Sequence, residues 1–183
     1  MAKFERVKRF INDDSINLPV RKTIGAAGYD FEVAEDIIIP SARRLIQSLA
    51  DKTYGNIQDT ILLNLIDVAS LTKETAARPT LVPTGVKCKL DEGTYLELSV
   101  RSSCPLKYWL ILANGVGIID RDYYGNPSND GEIFFQIINL GPYDIRLQKG
   151  DIIGQGIIKP YFTVEDEFGP STIRTGGFGS TSN

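Results

Sequence analysis

Residues 114–125, NGVGIIDRDYYG, join an apolar run to carboxylate, amide and phenol groups that could act on a bound molecule. A carboxylate is costly to bury without a partner, so an apolar run that ends in Asp120 and Asp122 predicts the mouth of a pocket or the tip of a hairpin. Asp120 could take a proton from water, Asn114 could read the edge of a base, and Tyr123 could stack against a sugar. Considered alone, the segment fits a hairpin with a polar mouth equally well.

Two further segments carry groups suited to an anion. The planar guanidinium of Arg101 matches phosphate oxygens, and the hydroxyls of Ser102 and Ser103 add short donors. An arginine at a solvated strand end is the simpler explanation of this short segment. In residues 149–156, KGDIIGQG, Gln155 interrupts an apolar run and needs a hydrogen-bond partner if it is buried, which is consistent with a structural or a ligand-binding role.

The C-terminal segment 171–183, STIRTGGFGSTSN, has no apolar periodicity and by itself is typical of a flexible terminus. Its glycines would allow backbone N–H groups, including that of Gly177, to come close to an anion. Phe178 could stack on a base, and Arg174 could bind a phosphate.

The composition excludes several kinds of chemistry. The chain has 183 residues, no histidine and a net charge of -3. Without histidine there is no histidine-based triad, metal ligand or base, so a carboxylate or a metal-bound water would have to move the proton in a hydrolase. The charge gives no broad basic field for coating nucleic acid. No apolar run approaches the ~20 residues of a membrane span, so no membrane partner is expected.

The two cysteines, Cys88 and Cys104, fit no metal-binding or redox spacing. We therefore predict two reduced thiols. Because the first residues also lack an apolar signal core, the sequence predicts a cytoplasmic protein.

Most of the chain predicts short strands separated by glycine, proline and asparagine, as in a sandwich, a barrel or a jelly roll. The clearest candidates lie at 29–39, 93–103, 132–139 and 151–162. In the second of these, Leu96, Leu98 and Val100 alternate with polar neighbours, which predicts a half-buried strand.

Residues 48–80 are longer than a simple hairpin connection. Apolar side chains recur there near helical spacing, at Ile61, Leu62, Leu65, Ile66 and Ala69. We predict a helix within 59–75 that Pro79 ends. A peripheral packing insertion is the simpler interpretation, and an arm that binds a regulatory protein partner is the second one.

In chain order, the segments AAGYDF, VRSS, NGVGIIDRDYYG, GDIIGQ and RTGGFGST resemble the five motifs of the trimeric all-β dUTPases, the deoxyuridine triphosphate nucleotidohydrolases. The resemblance covers nearly the whole chain apart from 48–80. It implies an all-β jelly-roll domain at 1–170 and a flexible lid motif at 171–183. It also implies a homotrimer whose shared active sites hydrolyse dUTP to dUMP and pyrophosphate with Mg²⁺, for nucleotide-pool sanitation and dTMP precursor supply.

The resemblance gives a role to each motif residue. Asp120 matches the aspartate that activates the attacking water, Tyr123 the tyrosine that packs under deoxyribose and leaves no room for a 2′-hydroxyl, and Asp30 an aspartate of the metal's water shell. The uracil-reading hairpin corresponds to Asn114, Gly117 and Ile119. The phosphate side corresponds to Arg101, Ser102, Ser103, Gln155 and Arg174. The lid is expected to supply Gly177 and Phe178, whose ring would stack on uracil.

The chain departs from the family pattern in several places. Tyr124 replaces an arginine, and residues 126–130, NPSND, lengthen the hairpin. Ser103 stands where the family commonly has glycine, and Thr175 alone separates Arg174 from the glycines of the tail. Variable insertions occur in phage-type members, which suggests a phage origin.

The closest competing interpretation is a dCTP deaminase, a sister family on the same fold that also favours Arg-Ser-Ser. Its chemistry needs a glutamate in the strand after the hairpin, and the corresponding residue here is Gln136. Glutamine cannot act as a general base at neutral pH, so we favour the dUTPase interpretation. Two further interpretations are a binding protein that uses the 48–80 arm and a non-catalytic jelly-roll domain, the second of which would leave the five ordered motifs to coincidence.

Overall fold

The computed structural model describes residues 1–44 and 78–165. The strands are β1 (Lys3–Arg6), β2 (Tyr29–Glu32), β3 (Ile37–Ile39), β4 (Thr80–Pro83), β5 (Val86–Lys89), β6 (Thr94–Val100), β7 (Leu110–Leu112), β8 (Gly117–Ile119), β9 (Phe134–Asn139), β10 (Ile145–Leu147) and β11 (Ile152–Pro160). A short helix, α1 (Ser103–Tyr108), follows β6, and 3₁₀ turns cover Lys8–Phe10 and Arg121–Tyr123.

The described strands pair antiparallel in four sheets, in the orders β2-β11-β6-β8, β4-β9-β7, β1-β5 and β10-β3. In the four-stranded sheet, β11 lies between β2 and β6, and Gln155 pairs with Asp30 on one side and Ser99 on the other. In the three-stranded sheet, β9 lies between β4 and β7. The arrangement is all-β, as the short strands predict.

The core lies between the sheets because each strand has one apolar face. Leu96 and Leu98 of β6 are buried, as the alternation in 93–103 predicts. Phe31 of β2 and Phe135 of β9 are both fully buried, with ring centroids 5.7 Å apart. Burying each of these large side chains contributes about 1.5–3 kcal/mol of transfer free energy.

Strand β11 crosses this core at Gly154. A Cβ at that position would lie 2.1 Å from Cε1 of Phe135 and 2.7 Å from the carbonyl oxygen of Ser99. The absent side chain is therefore what allows Phe135 to pack directly against the backbone of the four-stranded sheet.

Some boundaries differ from the sequence prediction. Residues 29–39 form two strands because the chain changes partner: β2 pairs with β11, whereas β3 pairs with β10. Thr80, placed at the end of the insertion, belongs to β4 and pairs with Ile137. Helix α1 was not predicted. The helix predicted within 59–75 lies outside the described residues.

Both cysteines are buried without a disulfide, which confirms the prediction of reduced thiols. Burial raises the pKa of the Cys88 thiol to about 12. Within residues 1–44 and 78–165, no helix has the length and apolar character needed to cross a membrane.

Trp109, at the end of α1, adopts a left-handed backbone conformation with φ 56° and ψ 27°. This conformation costs a non-glycine residue about 1–2 kcal/mol, and the residue is 63% exposed, so packing offsets little of that cost. We expect Trp109→Gly to raise the free energy of unfolding by about 0.5 kcal/mol after the entropy of the added glycine is subtracted. Urea denaturation measures this change. Tyr108→Gly, one residue earlier in right-handed helix, should lower stability, and a loss of stability in Trp109→Gly would contradict the strain argument.

Candidate active site

A cavity of ≈ 180 Å³ lies beside β8 and is lined by four of the predicted substrate-binding residues, Asn114, Gly117, Ile119 and Tyr123. We call it the β8 pocket; its lining is Leu98, Leu112, Asn114, Gly117, Ile118, Ile119, Tyr123, Phe134 and Gln136. Its volume is below the ~300–1,000 Å³ of drug-sized ligand sites. Apolar walls with two side-chain amides suit a small heterocycle with hydrogen-bonding edges.

The pocket forms where the two larger sheets meet. Strand β7 pairs with β9, and the N–H of Ala113 donates to the carbonyl of Gln136 at 2.8 Å. A tight turn follows, in which the N–H of Val116 donates to the carbonyl of Asn114 at 2.8 Å. Strand β8 then joins the other sheet, with Gly117 opposite Leu98. The chain therefore brings Asn114 and Gln136 into one cavity by moving from one sheet to the next.

Asp120 directly follows Ile119 of the pocket wall and precedes the 3₁₀ turn 121–123. Its backbone is extended, and its carbonyl accepts a hydrogen bond from the N–H of Tyr123 at 3.2 Å. Asp120 is half-buried, whereas Asp122 is exposed. Both aspartates are chain neighbours of lining residues, Asp120 of Ile119 and Asp122 of Tyr123, and neither lines the pocket itself. They differ in burial, and Asp120 is the more buried of the two.

Tyr123 is 5% exposed, and its phenol group has two fixed hydrogen bonds. The hydroxyl donates to the carbonyl oxygen of Glu132 at 3.0 Å and accepts from Nδ2 of Asn129 at 2.6 Å. The ring lines the β8 pocket while its polar end is bound inside the protein. Asn129 belongs to residues 126–130, which we call the hairpin extension. The predicted hairpin is not a pair of strands in the structure, because the segment connects β8 and β9, which belong to different sheets.

The first residues of the chain hold this hairpin from outside. Arg9 binds the buried carboxylate of Glu132 through Nε at 2.9 Å and Nη2 at 2.7 Å. Hydrogen bonding to Glu132 raises the pKa of Arg9. The hydroxyl of Tyr124 donates to Oε2 of Glu5 at 2.5 Å, which raises the pKa of Tyr124 to about 12. Tyr124 thus ties the hairpin to the N-terminal strand β1.

Asp130 anchors the end of the hairpin extension. Its Oδ2 accepts hydrogen bonds from Nζ of Lys87 and the backbone N–H of Lys8, both at 2.8 Å. Burial alone would raise the pKa of Asp130, but these bonds and the nearby positive charges outweigh it and hold the pKa below its ordinary value. The lengthened turn is therefore a folded element of the site.

The remaining predicted residues lie at the other end of the four-stranded sheet. We call Asp30, Arg101, Ser102, Ser103 and Gln155 the Arg101 group. Asp30 and Gln155 pair directly across β2 and β11. Arg101 and the two serines follow Val100, which pairs with Gly154 next to Gln155. The structure therefore brings the guanidinium, hydroxyl, amide and carboxylate residues to one region, as an anion-binding site requires.

Strand β6 separates the Arg101 group from the β8 pocket. Ile119, beside Asp120, pairs with Leu96 near the start of β6, whereas Arg101 follows its end. The five residue steps from Leu96 to Arg101 span about 17 Å at ~3.3 Å per step. One chain therefore presents the predicted site residues in two separate groups, with Asp120 in one and the Arg101 group in the other.

Within residues 1–44 and 78–165, no three His, Cys, Asp or Glu side chains gather as metal ligands. Mg²⁺ dehydrates reluctantly and is usually held by one or two carboxylates together with substrate phosphates. A single carboxylate, Asp30, beside the amide of Gln155 fits that mode of binding, since most ligands would be water and phosphate oxygens.

Part of the pocket wall was not predicted from the sequence. Leu98, Leu112, Ile118 and Phe134 line the β8 pocket but were not predicted to do so. The period-two spacing of Phe134 from Gln136 could have placed both on one face. No local pattern marks Asn129, because its role depends on a contact with Tyr123. Arg174, Gly177 and Phe178 lie outside the described residues, so their roles stay predictions.

Comparison with known proteins gives one consistent result. The dUTPase family model matches residues 65–182. The deoxyuridine 5'-triphosphate nucleotidohydrolase of Lactococcus lactis is 36% identical over 179 residues, which cover 97% of this chain and 95% of that protein. The dUTPase structure from Streptococcus mutans has a TM-score of 0.66 and 33% identity, and the match covers 88% of this chain and 98% of that one. The dUTPase of phage phi11 of S. aureus matches at a TM-score of 0.58 over 98% of this chain and 99% of that one, but its 16% identity shows likeness of fold alone.

Proposed function

Because the chain belongs to the dUTPase family, we propose that it hydrolyses dUTP to dUMP and pyrophosphate by attack of a water molecule, activated by Asp120, on the α-phosphate. The observation that carries this proposal is the β8 pocket, which unites Asn114, Gly117, Ile119 and Tyr123 next to Asp120. The cell would use the reaction to remove dUTP from its nucleotide pool and to supply the precursor of dTMP.

The β8 pocket would take the uracil ring. Asn114 and the neighbouring backbone supply donors and acceptors for the edge of the base, and Leu98, Leu112 and Phe134 supply apolar walls. Tyr123 would pack under the deoxyribose and leave no room for a 2′-hydroxyl. Its burial and its hydrogen bonds to Glu132 and Asn129 support this role, because a ring that excludes a 2′-hydroxyl by contact must stay in a fixed position.

Asp120 would orient the water and accept its proton as the new oxygen–phosphorus bond forms and the bond to pyrophosphate breaks. Aspartate is a weak base at neutral pH, so the positioning of the water must supply much of the effect. The short 3₁₀ turn after Asp120 supports this role, because it fixes the backbone next to the pocket.

The Arg101 group would bind the triphosphate. Arg101, Ser102, Ser103 and Gln155 offer donors to phosphate oxygens, and we expect Arg174 of the lid motif to add another. Magnesium, when bound, would reduce the negative charge of the triphosphate. Asp30 would hold the ion through its water shell.

A complete site then needs more than one chain. The Arg101 group lies about 17 Å along β6 from the carboxylate side of the site, so the two parts that act on one nucleotide would come from different subunits. We propose the homotrimer that the family resemblance implies, with the lid motif at 171–183 closing over the nucleotide. The domain limits, a cytoplasmic location, a phage origin and a regulatory partner of residues 48–80 stay predictions.

Gln136 weighs against a dCTP deaminase. It lines the β8 pocket, where a deaminase would need a glutamate to move protons at the cytosine ring. An amide can bind a ring edge but cannot serve as a general base at neutral pH. The lining of the pocket thus supports binding of a base and does not support deamination of that base.

Pyrophosphate release from dUTP, dTTP, dCTP and UTP with Mg²⁺ tests the proposed function. We expect fast release from dUTP alone. The small pocket would exclude the methyl group of thymine, Tyr123 would leave no room for a ribose, and the hydrogen bonds of Asn114 and the neighbouring backbone would distinguish the edge of uracil from that of cytosine. Ammonia release from dCTP is the matched measurement for the deaminase. Release of ammonia from dCTP, together with no release of pyrophosphate from dUTP, would overturn the proposal.

A further inference from the structure

The hydroxyl of Tyr123 is held by a residue outside the recognised motifs. It accepts a hydrogen bond from Nδ2 of Asn129 at 2.6 Å while donating to the carbonyl oxygen of Glu132 at 3.0 Å. Asn129 lies in the hairpin extension, which lengthens the turn relative to the family pattern. The position of the Tyr123 ring therefore depends on a segment that the motifs do not include.

The hairpin extension is itself held in place. Oδ1 of Asn126 accepts from the N–H of Ser128 at 3.0 Å and from its hydroxyl at 2.6 Å. Oδ1 of Asn129 accepts from the N–H of Gly131 at 3.0 Å. With Asp130 bound to Lys87 and Lys8, the extension has fixed points at both ends, so Asn129 is placed before any ligand binds.

The extension also contacts the backbone of Tyr123, whose carbonyl accepts a hydrogen bond from the N–H of Asn126 at 3.2 Å. Gly131, the residue after the extension, lies close to the same carbonyl: its φ is +79°, and a Cβ on it would lie 2.6 Å from the oxygen. A side chain at position 131 would therefore displace the Tyr123 backbone. The phenol and the backbone of the same residue are thus supported by one short segment.

We infer that Asn129 is a positioning residue that holds Tyr123 against the sugar and thereby sets the preference for deoxyribose over ribose; the inference rests on the proposed function. The Tyr123 ring can exclude a 2′-hydroxyl by contact only if it stays in a fixed position. Small displacements of a positioned group can change the reaction rate by a large factor. The hydrogen bond from Asn129 keeps the ring from moving away. If the extension had only a structural role, substitution of Asn129 would lower the stability of the protein and change kcat/KM for dUTP and for UTP by the same factor.

The test is kcat/KM for dUTP and for UTP in the full-length protein. In Asn129→Ala we expect the dUTP-to-UTP ratio to fall about 10-fold, the scale of one well-made hydrogen bond, chiefly through better use of UTP. Tyr123→Phe, which loses the hydrogen bonds to both Asn129 and Glu132, should lower the ratio at least as much. Asn129→Ala should have no further effect in that background. Ser128→Ala is the matched control: it removes one hydroxyl hydrogen bond within the extension but keeps the bond from the Ser128 N–H to Asn126 and the bonds that hold Asp130. Asn129 therefore stays in place, and the ratio should stay within about two-fold.

Three results overturn the inference: a ratio unchanged in Asn129→Ala, an equal change in Ser128→Ala, or a further fall when Asn129→Ala is added to Tyr123→Phe. If Asn129→Ala does not fold, Asn129→Ser, which is polar but too short to reach the phenol, gives the same readout. A wild-type protein that does not hydrolyse dUTP refutes the proposed function, whereas one that does so with an unchanged ratio in the variant refutes only the role of Asn129.

Discussion

Asp120→Asn is expected to lower kcat for dUTP by at least about 100-fold, the usual scale for removing a general base. The amide has the shape of the carboxylate but cannot accept the proton of the attacking water. Asp120 is half-buried at the end of β8, and the change adds almost no volume, so we expect a smaller change in KM than in kcat. Steady-state pyrophosphate release measures both constants, and thermal unfolding shows that the variant is folded at the assay temperature.

Asp122→Asn is the matched control for this experiment. It makes the same chemical change two residues away, on a side chain that is exposed, whereas that of Asp120 is half-buried. We expect kcat within about three-fold of the wild-type value, since surface substitutions usually have small effects. Equal losses in the two variants would mean that charge near the hairpin, and not a base at position 120, controls the rate.

Gly154→Ala is expected to lower the free energy of unfolding by about 3 kcal/mol or more, at the upper end of overpacking effects. The new methyl carbon would lie 2.1 Å from Cε1 of Phe135 and 2.7 Å from the carbonyl oxygen of Ser99. The phenyl ring is fully buried and cannot move without displacing the core, and the carbonyl belongs to the neighbouring strand β6. For a chain of this size, the melting temperature should fall by roughly 6–12 °C.

Gly25→Ala provides the comparison for that variant. No atom lies within 4 Å of a Cβ at position 25, outside its own chain neighbours, and its φ is not in the left-handed region. Its melting temperature should stay within about 2 °C of the wild-type value. Both proteins should be measured at one concentration, because assembly raises apparent stability. Equal stability of the two variants would show that the contact between Phe135 and β11 is not a close one.

The sequence predicts the fold well where local pattern and tertiary structure agree. The alternation around Leu96 and Leu98 gives a half-buried strand, and these side chains are buried. The prediction is less accurate where the chain changes partners. Residues 29–39 look continuous in sequence, but β2 and β3 belong to different sheets, and no local property shows where the pairing changes.

The same distinction applies to the candidate site. Ordered motifs allowed Asn114, Gly117, Ile119 and Tyr123 to be named from sequence, and the cavity contains all of them. The separation of Asp120 from Arg101 along β6 could not be predicted from the motifs, because it depends on strand register. The role of Asn129 could not be predicted either, since a hydrogen bond between two side chains leaves no local pattern in the sequence.

The contacts of residues 5–9 with residues 124–132 bear on the order in which the molecule folds. Glu5 meets Tyr124, Lys8 meets Asp130 and Arg9 meets Glu132, across sequence separations of about 120 residues. Contacts between residues so distant in sequence are slow to form, because a long loop must close before any of them stabilises the chain. We therefore expect residues 124–132 to reach their final structure only after these distant contacts form. The chain should gain the ability to bind a nucleotide late in folding.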